Sequence, residues 1–382
     1  MYIPEGFKFS ACACEIRKKD KLDIGLIVCE GKGISWGVFT KNSIKAAPVL
    51  IGMKHIKNSF TRAILANSGV ANACTGEEGL KRATKLLDEI SQILGCKKEE
   101  ILPASTGVIG EQLPLEKILP KLPILIESLS KENYLSFAQA IMTTDTFPKI
   151  VSKTTEEGIV IFGIAKGAGM IAPNMATMLA FVLTDAILTK EELKRLLGKS
   201  VEESFNRITV DGDTSTNDTV YALTSGRKTI RNFEAYFETF SEVLRELSYL
   251  IVKDGEGASK VIKIWVKGAK TKEEAKALAK SVAESPLVKT AFYGEDPNWG
   301  RIFAALGKTG IALDPEEIEL YINNLPWIRG LKLIKSEAEV KREMAKPEIE
   351  LIIKLKRGNQ SFWILTTDLT EEYIKINASY RS

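Results

Sequence analysis

Histidine is almost missing from this chain: among 382 residues there is one, His55. It sits in the polar stretch Met53-Lys54-His55 with no acid or nucleophile close in sequence, as a lone surface residue would. If the chain is an enzyme, a group other than imidazole has to move protons. Long apolar runs are missing too. The smoothest stretches, 158–165 and 178–183, have strand length, far short of the roughly 20 residues that span a bilayer. Residues 1–20 show no basic segment followed by an apolar one, so no secretory signal is expected and the expected location is cytoplasmic. Lys and Arg barely outnumber Asp and Glu, 53 against 49, and form no basic run, so nucleic-acid and membrane partners are not expected. The five cysteines, Cys12, Cys14, Cys29, Cys74 and Cys96, are odd in number and lack metal-site spacing. Cys12-x-Cys14 reads as small residues alternating on a strand, and free thiols suit a reducing compartment. There is no Walker motif, and Gly31-Lys-Gly33-Ile-Ser-Trp-Gly37 has too little of the dinucleotide fingerprint. Neither a metal nor a cofactor is expected.

What is present is a chain that is 45% hydrophobic, enough for a sizeable core and two or three domains. Strands are expected at 25–30, 62–67, 159–165 and 178–184. Helices are expected at 81–94, 131–142 and 233–253. In the last, Phe233, Phe237, Phe240, Leu244, Leu247 and Ile251 recur at steps of three and four and share a face. Thr189-Lys-Glu-Glu192 and Thr271-Lys-Glu-Glu274 read as capping boxes. The runs 348–356 and 361–367 suggest a hairpin through Arg357-Gly-Asn-Gln360. Pro286 and the stretch 294–300 suggest a boundary before a smaller C-terminal α+β domain, 286–382. The pattern as a whole is mixed α/β.

The least ordinary stretch is Lys166-Gly-Ala-Gly-Met-Ile-Ala-Pro-Asn-Met-Ala-Thr177. Gly167 and Gly169 allow positive φ, Pro173-Asn174 is a turn signal, and an apolar strand follows Thr177. A strained turn there would aim the Thr177 hydroxyl at the Ala176 carbonyl. An N-to-O acyl shift and hydrolysis would then leave Thr177 as a new N-terminus, a threonine with a free α-amine being an activated nucleophile. That amine has a pKa of about 8 against about 10.4 for lysine, so roughly one in ten is unprotonated at pH 7. It would supply the near-neutral base this histidine-poor chain lacks. The competing reading is a turn leading into a core strand, with Thr177 an ordinary β-branched residue.

In Pro103-Ala-Ser-Thr106-Gly107-Val-Ile-Gly110, small residues let backbone N–H groups face a cavity. With the Thr106 hydroxyl they could form an oxyanion hole, or simply a turn. Glu256, in Lys253-Asp-Gly-Glu256-Gly257, could hold a substrate ammonium or cap a turn. The acid- and hydroxyl-rich segment 206–218 does not match a calcium loop and reads as a polar turn network.

Together these pieces resemble the ornithine acetyltransferase (glutamate N-acetyltransferase) family of arginine biosynthesis, from near the first residue to the last. The matching blocks are Asn67-Ser-Gly-Val-Ala-Asn-Ala-Cys-Thr-Gly76, Ser105-Thr-Gly107, Met142-Thr-Thr-Asp-Thr146, Lys166-Gly-Ala-Gly169, Ala176-Thr177-Met-Leu, Asp254-Gly-Glu-Gly257, Asp296-Pro-Asn-Trp-Gly-Arg301 and Asn377-Ala-Ser-Tyr-Arg-Ser382. The family pattern usually has asparagine where Val70 stands, a departure that touches none of the candidate catalytic groups.

The resemblance implies a four-layer α/β/β/α fold and self-cleavage between Ala176 and Thr177. The α chain, 1–176, and the β chain, 177–382, would remain together as α2β2. Thr177 would take acetyl from N-acetyl-ornithine and pass it to glutamate by a ping-pong route. Thr106 and Gly107 would match the oxyanion hole. Thr143 (or the adjacent Thr144), Lys166, Thr177, Glu256, Asn377 and Ser382 would match substrate contacts. Some members also use acetyl-CoA as a co-substrate, a point this sequence leaves open. Two rivals remain: a self-processing N-terminal-nucleophile aminopeptidase or hydrolase, and an uncut 42.2 kDa binding protein.

Overall fold

The computed structural model describes residues 1–172 and 178–379, which fall into two compact units. The first unit takes in residues 1–206 and 213–251. Its strands are β1 (Phe7–Cys12), β2 (Ile24–Phe39), β3 (Thr61–Asn67), β4 (Ile101–Ser105), β5 (Lys149–Thr154), β6 (Val160–Lys166), β7 (Leu179–Ala186) and β8 (Thr219–Lys228). They run in the order β4-β3-β2-β8-β7-β6-β5, with β1 also on β2. The long strand β2 serves two halves of this sheet. Residues 24–28 pair with β3, and residues 34–39 pair with β8.

The helices of this unit are α1 (Ala47–His55), α2 (Gly76–Leu94), α3 (Leu115–Ile118), α4 (Leu122–Glu127), α5 (Tyr134–Ala140), α6 (Lys190–Glu202) and α7 (Phe233–Lys253). Period-two alternation sorts the strand side chains into separate layers. Leu26, Val28, Ala63 and Leu65 pack with Ala83, Leu86, Leu87 and Ile90 of α2. Their neighbours Ile27, Ile64 and Ala66 turn the other way and meet Phe162, Ile164, Phe181 and Tyr221 from β6, β7 and β8. The rings of Phe9 and Phe162 close that middle layer edge to face, 5.8 Å between centroids. On the far side, Gly163 of β6 leaves no room for a Cβ, which would lie 2.6 Å from Leu247 and 2.8 Å from Val243 of α7. The result is helix, sheet, sheet, helix: the four layers that the family resemblance implied. With both faces covered, the strands are apolar on both sides.

The second unit takes in residues 207–212 and 252–382. It contains β9 (Val261–Ala269), β10 (Glu319–Ile322), β11 (Leu325–Arg329), β12 (Lys332–Leu333), β13 (Glu348–Lys354) and β14 (Gln360–Thr367). Its helices are α8 (Lys272–Ala283), α9 (Pro286–Tyr293), α10 (Trp299–Gly307), α11 (Glu337–Met344) and α12 (Glu371–Ala378). The strand order is β12-β11-β10-β13-β9-β14. One face carries Ile262, Ile264, Leu351, Ile353 and Ile364 into a core with Leu278, Ala279 and Val282 of α8. This is the expected α+β part, but the division falls well before residue 286. Strand β9 lies between β13 and β14 in this sheet, and α8 packs into the same core, so both belong to this unit.

Several expectations need correction. The runs near the C-terminus form strands but no hairpin: β13 pairs parallel with β9 and β14 pairs antiparallel with it, so β9 lies between them. The connecting turn is held instead by the Gly268 carbonyl, which accepts from Arg357 and Gly358 N–H at 3.0 and 2.9 Å. The Thr189 box closes reciprocally, whereas at Thr271 only the threonine side of the box forms. The Glu274 carboxylate is engaged by Arg357 Nε at 2.8 Å, which competes with its reach back to the cap. His55 is buried rather than on the surface, with Nδ1 2.8 Å from the Ile101 carbonyl. All five cysteines are free thiols. Among the described residues, no helix is long and apolar enough to cross a membrane.

Candidate active site

Strand direction brings several ends to one edge of the first unit. β3 and β4 run parallel and finish at Asn67 and Ser105. β6 finishes at Lys166, paired with Leu179 at the start of β7, and Leu179 in turn faces Thr219 at the start of β8. The segments leaving these ends are bonded to one another. Ser105 Oγ donates to Asn67 Oδ1 at 2.6 Å, and the Thr106 N–H donates to the Asn67 carbonyl at 2.9 Å. Asn217 Nδ2 donates to the Ala71 and Ser105 carbonyls at 2.7 and 2.9 Å. The segment 206–218 therefore is the polar network expected of it. Among the described residues, no group of three His, Cys, Asp or Glu is placed to hold a metal.

Lys166 is the centre of this edge. It is buried, and its Nζ donates to Thr143 Oγ1 at 2.9 Å and to Thr106 Oγ1 at 3.1 Å. Three residues named from separate sequence blocks thus meet at one ammonium. The bond falls on Thr143, not on the adjacent Thr144. Gly107 follows with φ +130°, and a Cβ there would stand 2.2 Å from the Gly69 backbone, so this close crossing requires glycine. Around Lys166, positive φ falls on Gly167 and on Met170; Gly169 does not adopt it.

Two buried aspartates that the residue patterns did not single out flank the lysine. Asp145 Oδ1 accepts from Lys149 Nζ and from Gly167 N–H, each at 2.7 Å, and Oδ2 accepts from Thr143 N–H at 3.0 Å. Burial pushes its carboxyl upward, but the charges of Lys166 and Lys149 and these bonds outweigh it and hold the group at about 2. Asp218 is fully buried, and its Oδ1 accepts from Met178 N–H at 3.0 Å. Its Oδ2 has no hydrogen-bond partner among the described residues. Burial raises this carboxyl well above the ordinary range, against the weaker pull of the Met178 N–H and the charge of Lys166. Asp145 stood inside a family block, but its partners at 149 and 166–167 follow no motif spacing. Asp218 stood inside a stretch whose composition says only turn.

In the second unit, Asn377 Nδ2 donates to Glu256 Oε2 at 2.8 Å. The pairing depends on the 254–257 turn lying against α12: Thr370 Oγ1 donates to the Gly257 carbonyl at 2.6 Å. Glu256 and Asn377 are thus brought together across 121 residues of sequence. Ala176, Thr177, the Pro173-Asn174 turn signal and Ser382 lie outside the described residues.

Residues 8–382 match the ArgJ family. The chain is 43% identical to the arginine biosynthesis bifunctional protein ArgJ of Geobacter sulfurreducens over 393 residues, covering 99% of each chain. It is 43% identical to the protein of the same name from Thermotoga neapolitana over 399 residues, covering the whole of both. The crystal structure of arginine biosynthesis bifunctional protein ArgJ from Bacillus halodurans superposes with a TM-score of 0.50 at 36% identity, over 52% of this chain and 98% of that one. With a family match over nearly its whole length, the chain belongs to the ArgJ family of arginine biosynthesis and is an acyltransferase.

Proposed function

We propose that this enzyme moves an acetyl group from N2-acetyl-ornithine to glutamate through an ester on Thr177, after cutting its own chain between Ala176 and Thr177. The observation that carries the reading is the buried Lys166 ammonium shared by Thr106 and Thr143 hydroxyls at one sheet edge. Lys166 and Thr143 suit a substrate carboxylate, the stronger class of contact because it is charge-assisted. The Thr106 hydroxyl and Gly107 suit the oxyanion that forms when Thr177 attacks the acetyl carbonyl. Glu256, Asn377 and Ser382 are assigned to the substrate's ammonium end. The freed α-amine of Thr177 takes the hydroxyl proton and returns it to ornithine as that amine leaves. Glutamate then attacks the ester, giving N-acetyl-glutamate and the free enzyme.

The two fragments, 1–176 and 177–382, stay associated in this reading, as α2β2. The curated relatives carry the name bifunctional. For this chain we extend that to acetyl-CoA as a second acetyl donor. Glutamate supplied with acetyl-CoA and no acetyl-ornithine then yields N-acetyl-glutamate; no product would restrict the enzyme to acetyl-ornithine.

A denaturing gel with N-terminal sequencing tests the cleavage. Two fragments of about 19 and 23 kDa, in proportion to residue share, are expected, the larger beginning at Thr177. A single chain of 42.2 kDa in folded, fresh protein would contradict it. A self-processing hydrolase would show the same fragments but release acetate, whatever the glutamate concentration.

A further inference from the structure

We propose that Lys21 is a positioning residue of the substrate-carboxylate site, setting Thr143 against Lys166 by holding the Met142–Thr143 peptide; this rests on the reading above that Thr143 and Lys166 take that carboxylate. Three bonds carry it. The half-buried Lys21 donates from Nζ to the Met142 carbonyl at 2.8 Å. The Thr143 N–H, the other polar group of the same peptide, donates to Asp145 Oδ2 at 3.0 Å. The Thr143 hydroxyl then accepts from Lys166 Nζ at 2.9 Å.

Peptide geometry turns the first two bonds into a clamp. The carbonyl and N–H of a planar trans peptide point in opposite directions, and among the described residues no peptide bond is cis. Lys21 and Asp145 therefore grip the 142–143 plane from opposite sides. Both bonds involve a charged group, the stronger class of contact. Their charges also reach each other: burial, with the charge of Lys18, lowers the Lys21 pKa, while Asp145 and Asp23 pull it back up. With the plane fixed, the Thr143 hydroxyl has only the staggered positions of a β-branched side chain, and one of them meets Lys166.

A built loop delivers the lysine. Residues 13–23 join β1 to β2 with no helix or strand of their own. Asp23 ties the start of this loop down: its Oδ1 and Oδ2 accept from Cys14 and Ile16 N–H, each at 2.7 Å. Glu15 and Asp20 bend it at φ +54° and +57°, a conformation that is costly away from glycine and persists only where the surroundings fix it. The loop also lies on Gly69, where a Cβ would stand 3.0 Å from Ile16. Residues 142–148 form no helix or strand either. Asp145 ties that segment from within, and Lys21 ties it from 121 residues earlier in the chain.

The experiment is steady-state acetyl transfer by the full protein, with kcat and KM measured for N-acetyl-ornithine and for glutamate, each of which carries the α-carboxylate. Lys21→Met keeps the aliphatic stem and loses the charged donor. Both KM values should rise by about 10-fold, the scale of one hydrogen bond to a charged group, with kcat nearly unchanged. Lys21→Arg, which keeps the charge and a donor, should raise them less. Thr143→Val should raise both KM values as well, and the double variant should be no worse than Thr143→Val alone, because Lys21 acts through that hydroxyl. Unchanged kinetics, a fall in kcat at constant KM, or effects that multiply in the double variant overturn the role of Lys21 while leaving the carboxylate site standing. Unchanged KM values for Thr143→Val overturn both readings.

Discussion

Two aspartates at the same edge of the first unit are both buried, yet their carboxyls are shifted in opposite directions. Asp145 lies between the Lys149 and Lys166 ammonium groups and accepts backbone N–H bonds from Thr143 and Gly167, which hold its carboxyl at about 2. Asp218 has one N–H, from Met178, and an unmet second oxygen, and its carboxyl is raised. Lys166 acts on both and reverses only one of them. Depth therefore does not set the charge; the number of partners reaching each oxygen does. The difference gives one edge both a carboxylate bonded to a lysine and a carboxyl pushed toward its protonated form.

The largest expected effect breaks the charged side of this comparison. Asp145→Ala leaves Lys149, which is fully buried, without its carboxylate partner. Urea unfolding should show a loss of about 3 to 5 kcal/mol, the range for removing one member of a buried pair. A loss below 1 kcal/mol would mean that the pair is held by something other than charge.

Next is the group that Lys166 shares with the chemistry. Thr106→Ala should lower the transfer rate by roughly 100-fold or more, as for one lost oxyanion donor, with cleavage products still separable by mass. An unchanged rate removes Thr106 from the oxyanion hole.

A smaller effect, read as a slope, sharpens the comparison from the neutral side. The folded-state value of Asp218 lies above its ordinary 3.8, so its stabilising term is complete below that pH and is lost as pH rises toward the folded value. Relative to Asp218→Asn, the wild type should lose stability with rising pH by at most about 1.4 kcal/mol per unit. Asp145 has the opposite sign. Its contribution is present above 3.8 and is lost as pH falls from there to about 2. Parallel pH–stability curves for wild type, Asp218→Asn and Asp145→Asn would erase the distinction between the two carboxyls.

Local patterns were the legible part of this fold. Short apolar runs at 25–30 and 62–67 placed β2 and β3, and the stripe from Phe233 to Ile251 placed α7, because each is a property of neighbouring residues. The hairpin at 357–360 failed because pairing is not local: β9, some 90 residues earlier in the chain by its place in the sequence, takes the position between β13 and β14. The same limit governs the site. Thr106, Thr143 and Lys166 carried a family mark, and the two hydroxyls accept from the one ammonium. Asp218 carried none, since its meaning comes from Met178 across a parallel strand pair and from an absent partner, neither of which is written in spacing.

The most direct test of the account is to trap the acetyl group on the enzyme. Purified protein is mixed with N-acetyl-ornithine and no glutamate, quenched in acid, and digested for mass spectrometry. The account predicts that the fragment 177–382 gains one acetyl group, located on Thr177, and loses it on later addition of glutamate with N-acetyl-glutamate appearing in equal amount. An acetyl group on another residue, or no acetylated fragment from an enzyme that turns over, would contradict it.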